Sequence, residues 1–236
     1  MADYRNFRHY IGDGWNKEPK ESFRAVADHL GFQKVGRGSL LDVGCATGEL
    51  LGFLGLKFPE LSLTGVDVFD DLLVTASQNL PAARFIKASA LDLSQTLPER
   101  FDVVTAIGVM SIFDDTQLLR FWQNLLDSTL PGGLIIVLAP LNEFGVDSLI
   151  SHRKRQGGRR LEWEGGWNIF SLETIRELLA ELGQEVNFER FVFKSVLLPR
   201  EDPVRTWTLP TESNPHQLIN GLKLLVDHYF IIVKKL

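Results

Sequence analysis

The chain has 236 residues, 44% of them hydrophobic and 23% charged, which suits one packed α/β-sized domain with additions. A formal net charge of −5 argues against a general nucleic-acid binder. The single cysteine excludes an intramolecular disulfide, and no apolar run approaches the ~18 residues of a membrane span. With no apolar signal core in the first residues, a soluble cytoplasmic protein is expected.

Residues 1–17 carry Tyr4, Phe7, His9, Tyr10 and Trp15 among polar residues and glycines and read as an irregular aromatic arm. Pro19 is placed to open a helix whose apolar face is Phe23, Val26, Ala27 and Leu30. After Gly36 and Gly38 the pattern alternates. The predicted elements are a strand at 39–43, a helix at 47–58, a strand at 61–67, a helix at 70–79 capped by Asp70, and strands at 83–88 and 101–107. A helix at 115–128 follows, with Asp114 and Asp115 as caps, and the turn Leu130-Pro131-Gly132-Gly133 launches a strand at 134–138. Strands that are apolar throughout, separated by helices, imply a parallel sheet covered on both faces.

Residues 140–170 interrupt this rhythm with a long connection. It holds the basic residues Arg153, Lys154, Arg155, Arg159 and Arg160, and then Trp163 and Trp167. A helix at 172–182 is bounded by Ser171 as N-cap and Gly183 at the C′ position. A strand at about 187–198, a Pro- and Thr-rich segment at 199–215, a helix near 216–226 and a last strand from His228 complete the reading.

The stretch Leu40-Leu41-Asp42-Val43-Gly44-Cys45-Ala46-Thr47-Gly48-Glu49 carries the most specific signal. A strand runs into a glycine turn and then a helix N-terminus, which lets backbone N–H groups approach a ligand. A dinucleotide fingerprint would need glycines where Ala46 and Glu49 stand. The pattern Asp42, Gly44, Ala46, Gly48 instead resembles the first motif of class I S-adenosylmethionine (SAM)-dependent methyltransferases. Asp67 lies 23 residues after Gly44 at the tip of the next strand, where a carboxylate can hold two ribose hydroxyls.

That resemblance implies a Rossmann-like, seven-stranded, mostly parallel sheet with helices on both faces and an antiparallel last strand inserted between strands five and six. It implies SAM as cofactor and a small-molecule acceptor; separately, no His/Cys/carboxylate cluster has the spacing of metal ligands, so no metal is expected. The expected cofactor residues are Asp42, Gly44, Cys45 (a small filler in the loop rather than a nucleophile), Ala46, Gly48, Asp67, Val68, Ser89, Ala90, Leu91, Ile107 and Tyr10. Ser89 stands where the family often has an acid for the adenine amino group, a departure for which Asp92 is the available substitute. Ile107-Gly108-Val109-Met110 replaces the Asp/Asn-Pro-Pro-aromatic motif of amide and adenine methyltransferases, so oxygen is favoured over nitrogen as acceptor. Residues 1–37 are expected to form an arm and helix that close over the site. Residues 38–236 form the domain, with substrate-pocket insertions at about 140–170 and 199–215.

His152 is the candidate base, needed if a hydroxyl must lose its proton. Trp15, Arg153, Trp163, Trp167, Arg205 and Trp207 are the candidate substrate residues, and His216 and His228 read as structural. A non-catalytic SAM-binding sensor is the competing function, kept open by Ser89. The sequence leaves the acceptor and the oligomeric state undetermined.

Overall fold

The computed structural model describes residues 18–236. The expected contributions of Tyr10, Trp15 and the rest of the aromatic arm lie outside the described residues.

A helix α1 (Glu21–Phe32) precedes the sheet. It starts one residue after Lys20, so Pro19 sits just outside it rather than at its first position. The core then alternates β1 (Arg37–Val43), α2 (Glu49–Lys57), β2 (Glu60–Asp67), α3 (Asp70–Asn79) and β3 (Arg84–Lys87). A short helical turn α4 (Leu93–Thr96), β4 (Phe101–Ile107), a 3-10 turn at Met110–Ile112, α5 (Asp115–Asp127) and β5 (Thr129–Asn142) follow. The insertion carries four two-residue strands, β6 (Ser151–His152), β7 (Arg155–Gln156), β8 (Arg159–Arg160) and β9 (Glu164–Gly165). Beyond it come β10 (Phe170–Ser171), α6 (Leu172–Glu181), β11 (Asn187–Phe191), β12 (Trp207–Leu209), β13 (Gln217–Ile219), β14 (Leu225–Val226) and β15 (His228–Lys234).

The central sheet runs β11-β15-β5-β4-β1-β2-β3, with β10 pairing on β5 beyond this path. All pairings from β5 to β3 are parallel, and β15 is antiparallel to both β5 and β11. The class I arrangement expected from the sequence is therefore present, last strand included.

Period-two alternation distributes the strand residues between two cores. Leu40, Val103, Leu134, Ile136, Leu138 and Phe230 face α1 and α2, against Phe23, Val26, Leu30, Leu50, Leu51 and Leu54. Their neighbours Leu41, Val104, Ile135, Val137, Ala139 and Ile231 face α5 and α6, against Leu118, Phe121, Trp122, Leu125, Ile175 and Leu179. Because both faces are covered, these strands need apolar residues at every position.

The helix ends obey local chemistry. Asp114 accepts from the Gln117 N–H while the Gln117 side chain accepts from the Asp114 N–H, a complete capping box on α5. The Ser171 hydroxyl accepts from Thr174 N–H, and Gly183, at φ +71°, closes α6. Asp70 does not cap α3. It is the first residue of that helix, Phe69 holds the cap position, and the Asp70 carboxylate pairs with Lys87.

Three segments differ from expectation. The Pro131-Gly132-Gly133 turn is a bulge inside β5: the β4 pairing jumps from Phe101↔Thr129 to Val103↔Leu134. Lys235 holds that bulge, its carbonyl accepting from Gly132 N–H and its N–H bonding Gly133 O. The strand expected at 187–198 stops at Phe191, where its partner β15 begins at His228. No helix forms at 216–226. There β13 and β14 pair as a hairpin next to β12, because Gly221 N–H bonds Pro203 O (2.7 Å) and the buried Asn220 side chain accepts from Leu222 N–H.

Trp122 is fully buried at the centre of the second core, with its Nε1 unpartnered among the described residues. Trp122→Ala should cost about 3–5 kcal/mol in chemical denaturation. Trp122→Phe should cost far less, since it removes a buried donor that has no acceptor. An equal loss for the two variants would contradict this packing.

Candidate active site

The sheet order reverses between β1 and β4, and a ligand crevice is expected beyond the C-terminal ends of the strands flanking such a point. At the end of β1 the chain folds back on β2, so that Gly44 N–H and Cys45 N–H both donate to Val66 O, at 2.8 and 3.0 Å. Gly44 has φ +75°, and a Cβ there would stand 2.5 Å from Val109 Cγ2. Ala46 is left-handed as well, with φ +48°. Its N–H donates to Asp67 Oδ2 at 3.0 Å, while Asp67 Oδ1 accepts from Phe69 N–H at 3.1 Å. Asp67 thus fixes the loop after β1 and the start of α3 together. Val68 N–H also bonds this carboxylate, which has about four acceptor positions and so keeps capacity for a ligand.

Asp42 lies buried beneath the loop and accepts from Thr105 Oγ1 at 2.7 Å. Burial raises its pKa to about 7; the Thr105 bond opposes the rise and the Asp67 charge adds to it. Asp67 is raised in the same direction by burial, against its backbone hydrogen bonds. Burial also holds the Cys45 thiol well above its usual range, so it is no nucleophile.

These groups open into a cavity of about 1540 Å³. Asp42, Gly44, Cys45, Ala46, Asp67, Val68, Ser89, Ala90, Leu91 and Ile107 all line it. Gly48 does not. At φ +80° it precedes α2, and its missing Cβ would touch the Phe85 ring at 3.1 Å, so it serves the turn and its packing. Gly108, at φ +75°, lines the cavity with open space where a Cβ would stand. Ser89 Oγ accepts from Leu91 N–H, and Asp92, also on the wall, pairs with Arg120.

The insertions supply the other half of the lining. The short antiparallel ribbon β6–β9 sets His152 opposite Glu164, and both line the cavity. Neither ring nitrogen of His152 has a partner among the described residues, and both are sealed from solvent. Burial lowers the His152 pKa from 6.5, with Glu164 and Asp202 pulling the other way, so the ring is neutral near pH 7. Lys154, only 13% exposed, stands 3.9 Å from Glu164 and 3.5 Å from Asp202 and ties the ribbon to the segment after β11. Trp167, left-handed at φ +65°, and Arg205 also line the cavity.

Arg153, Trp163 and Trp207 do not. Arg153 stacks over the Trp163 ring at 4.9 Å on the outside of the ribbon, where Trp163 is 57% exposed. Trp207 belongs to β12 and pairs with Ile219. Sequence reasoning missed Glu164, whose signal is only its register with His152. It also set aside His228, which lines the cavity at the start of β15. Among the described residues no cluster of side chains has the makings of a metal site, and no helix is long and apolar enough to cross a membrane.

Comparison with known proteins agrees with this frame. Residues 41–135 match the model of a family described as a methyltransferase domain. Residues 41–135 thus resemble a methyltransferase domain, and the fold is that of class I SAM-dependent methyltransferases. Among curated relatives, trans-aconitate 2-methyltransferase of Deinococcus radiodurans is 31% identical over 106 residues, covering 44% of this chain and 38% of that protein. Malonyl-[acyl-carrier protein] O-methyltransferase of Acetivibrio thermocellus is 26% identical over 112 residues, covering 47% and 38%. These matches thus span well under half the length of either methyltransferase. The SAM-bound amino pentose methyltransferase CalS10 of Micromonospora echinaspora shares the fold, with a TM-score of 0.61 at 17% identity over 98% of both chains.

The buried acid of β1 makes stability depend on pH. Asp42 keeps its proton in the folded chain up to about pH 7, whereas the unfolded chain releases it near 3.8. Between these values the folded state binds the extra proton, so its contribution is present in acid and is lost as pH rises through 7. His228, lowered by burial to about 4, acts with the opposite sign between 4 and 6.5 and masks the effect in the wild type. Asp42→Asn should remove the Asp42 component. The stability difference between wild type and Asp42→Asn, measured by urea denaturation, should therefore fall from pH 4 to 7, by at most about 1.4 kcal/mol per pH unit. A difference independent of pH would mean that Asp42 is ionised in the empty protein.

Proposed function

We propose that this methyltransferase moves a methyl group from SAM to an oxygen, hydroxyl or carboxyl, of a small molecule. The observation that carries the reading is the single cavity running from the Asp67 and Gly44 loop to His152. At about 1540 Å³ it exceeds the usual ~300–1,000 Å³ of a site for one ligand, so it has room for a cofactor and an acceptor side by side.

The lining fits SAM. Asp67 keeps acceptor capacity for a ribose hydroxyl, and Val68, Phe69 and Ala90 offer apolar surface for adenine. The bare backbone at Gly108, with Gly44 and Ala46, leaves room for the amino-acid end above Asp42. When bound, SAM supplies a methyl carbon already activated by its sulfonium. The protein's work is then to align the acceptor and exclude water.

His152 would take the proton of an acceptor hydroxyl once a ring nitrogen, sealed in the empty protein, turns into the cavity, and the neighbouring Glu164 favours the imidazolium that results. An acceptor carboxylate needs no base, and the same ring would orient it by donating a hydrogen bond. Oxygen as acceptor is supported by the similarity to a malonyl-[acyl-carrier protein] O-methyltransferase and by Ile107-Gly108-Val109-Met110 after β4. Lys20, Ser22 and Phe23 before β1 and the two insertions would enclose the reactants, and Trp167 and Arg205 would shape the acceptor side. The single cysteine supports a cytoplasmic setting.

One observation favours a binder without turnover. The Ser89 hydroxyl accepts from Leu91 N–H and Asp92 Oδ1 is engaged by Arg120, so the adenine amino group meets a shared carboxylate on this wall rather than a dedicated one. Formation of S-adenosylhomocysteine (SAH) from SAM with a panel of hydroxy and carboxylic acids separates the readings. A chain that binds SAH and never turns over is a sensor.

Asp67→Ala should weaken SAH binding in calorimetric titration at least tenfold, about 1.4 kcal/mol, since it removes charge-assisted bonds and frees the loop. His152→Ala should leave SAH affinity nearly unchanged and lower kcat for a hydroxyl acceptor about 100-fold. Full activity in His152→Ala would assign the base elsewhere.

A further inference from the structure

His228 begins β15, in register with Pro140 at the C-terminal end of β5 and with Phe191 at the end of β11. His228 and Pro140 both line the cavity. Its Nδ1 is sealed from solvent and has no partner among the described residues. The strand position alone does not require a histidine, because Tyr229, Phe230 and Ile231 continue β15 as ordinary core residues. A buried imidazole nitrogen without a partner is destabilising, and a ligand that draws the ring toward the cavity relieves that cost.

Position says which ligand. The sheet order β15-β5-β4 puts His228 two strands, about 10 Å, to one side of the β4 end where Gly108 leaves its open space. The interval above β5 is the width of a small molecule. His152 reaches the same cavity from the β6–β9 ribbon, a separate element. Two imidazoles on independent supports, both with unpartnered nitrogens, cannot be satisfied by one acceptor atom unless both point at it. Two polar atoms on one ligand satisfy both.

We infer that His228 is a second acceptor-binding residue, and that the acceptor carries two oxygen functions: the one to be methylated, at His152, and another held by His228. This deepens the proposed function and rests on it. It narrows the substrate class to hydroxy acids, diacids and diols, as opposed to simple alcohols or monoacids.

The test uses the full chain saturated with SAH, titrated calorimetrically with benzoate and with 2-, 3- and 4-hydroxybenzoate as probes that differ by one oxygen. At least one hydroxybenzoate should bind tenfold or more tighter than benzoate. That gain should vanish in His228→Phe, which keeps a ring of similar shape, and survive in part in His228→Gln, which keeps a donor and an acceptor. SAH affinity should be the same in all three proteins. No gain in the wild type, or no binding of any probe, overturns the inference, as does a gain that persists in His228→Phe. Failure of the wild type to bind SAH at all is seen in the first titration and removes the proposed function itself, and the inference with it.

Discussion

The hydrogen bond from Ala46 N–H to the Asp67 carboxylate is the constraint on which the site depends. It joins the loops at the ends of two adjacent parallel strands, and with the two bonds to Val66 O it leaves the turn after β1 one conformation. Two consequences follow from that closure. Ala46 is held left-handed, which costs an L-residue free energy that the carboxylate bond offsets. Asp67 is anchored at both oxygens before any ligand arrives, so its remaining acceptor positions are already aimed. The loop, the Asp67 carboxylate and the start of α3 are one rigid unit.

The two halves of the cavity are built by different means. The cofactor half rests on strand ends that two hydrophobic cores hold from both faces. The acceptor half rests on two-residue strands and turns with little core beneath them. Charge supplies part of what packing does not: Lys154, largely withdrawn from water, stands between Glu164 and Asp202 and spans two segments far apart in sequence. A pair this sheltered loses more on truncation than a surface ion pair would, since the remaining charge is left buried. The ribbon and the segment after β11 are thereby coupled, while Arg153 and Trp163 stack on the outer side without entering the site.

Legibility in the sequence followed the strength of the physical signal. From β1 to β5 most strands are apolar on both faces and each connection is long enough to declare itself, so their order could be read directly, though the bounds of β5 could not. Asp42, Gly44, Ala46 and Asp67 could be found because a tight turn beside a backbone-recognition site restricts residue type. The C-terminal third was read less well. Residues 217–226 have apolar residues at a spacing that suits a helix, yet Asn220-Gly221, a dipeptide typical of tight turns, sits in their middle. The helix reading gave that dipeptide too little weight against Leu222, Leu224 and Leu225. His228 was read as structural because a lone histidine opening an apolar strand usually is; only its placement beside Pro140 shows that it faces the cavity. Trp163 and Trp207 illustrate the opposite error, aromatic residues in irregular segments that pack locally instead of shaping a pocket.

Cys45 has a practical consequence. It is the chain's single thiol, buried under the loop that Asp67 closes, beside the space that a Gly65 Cβ would occupy. A thiol reagent can therefore reach it only when that loop lifts or the fold opens. Disulfide exchange at Cys45 would clock the opening of the β1–β2 end of the molecule, with no engineered probe and no competing signal. Any ligand that bridges the loop to Asp67 should slow that clock by the free energy with which it binds the closed form.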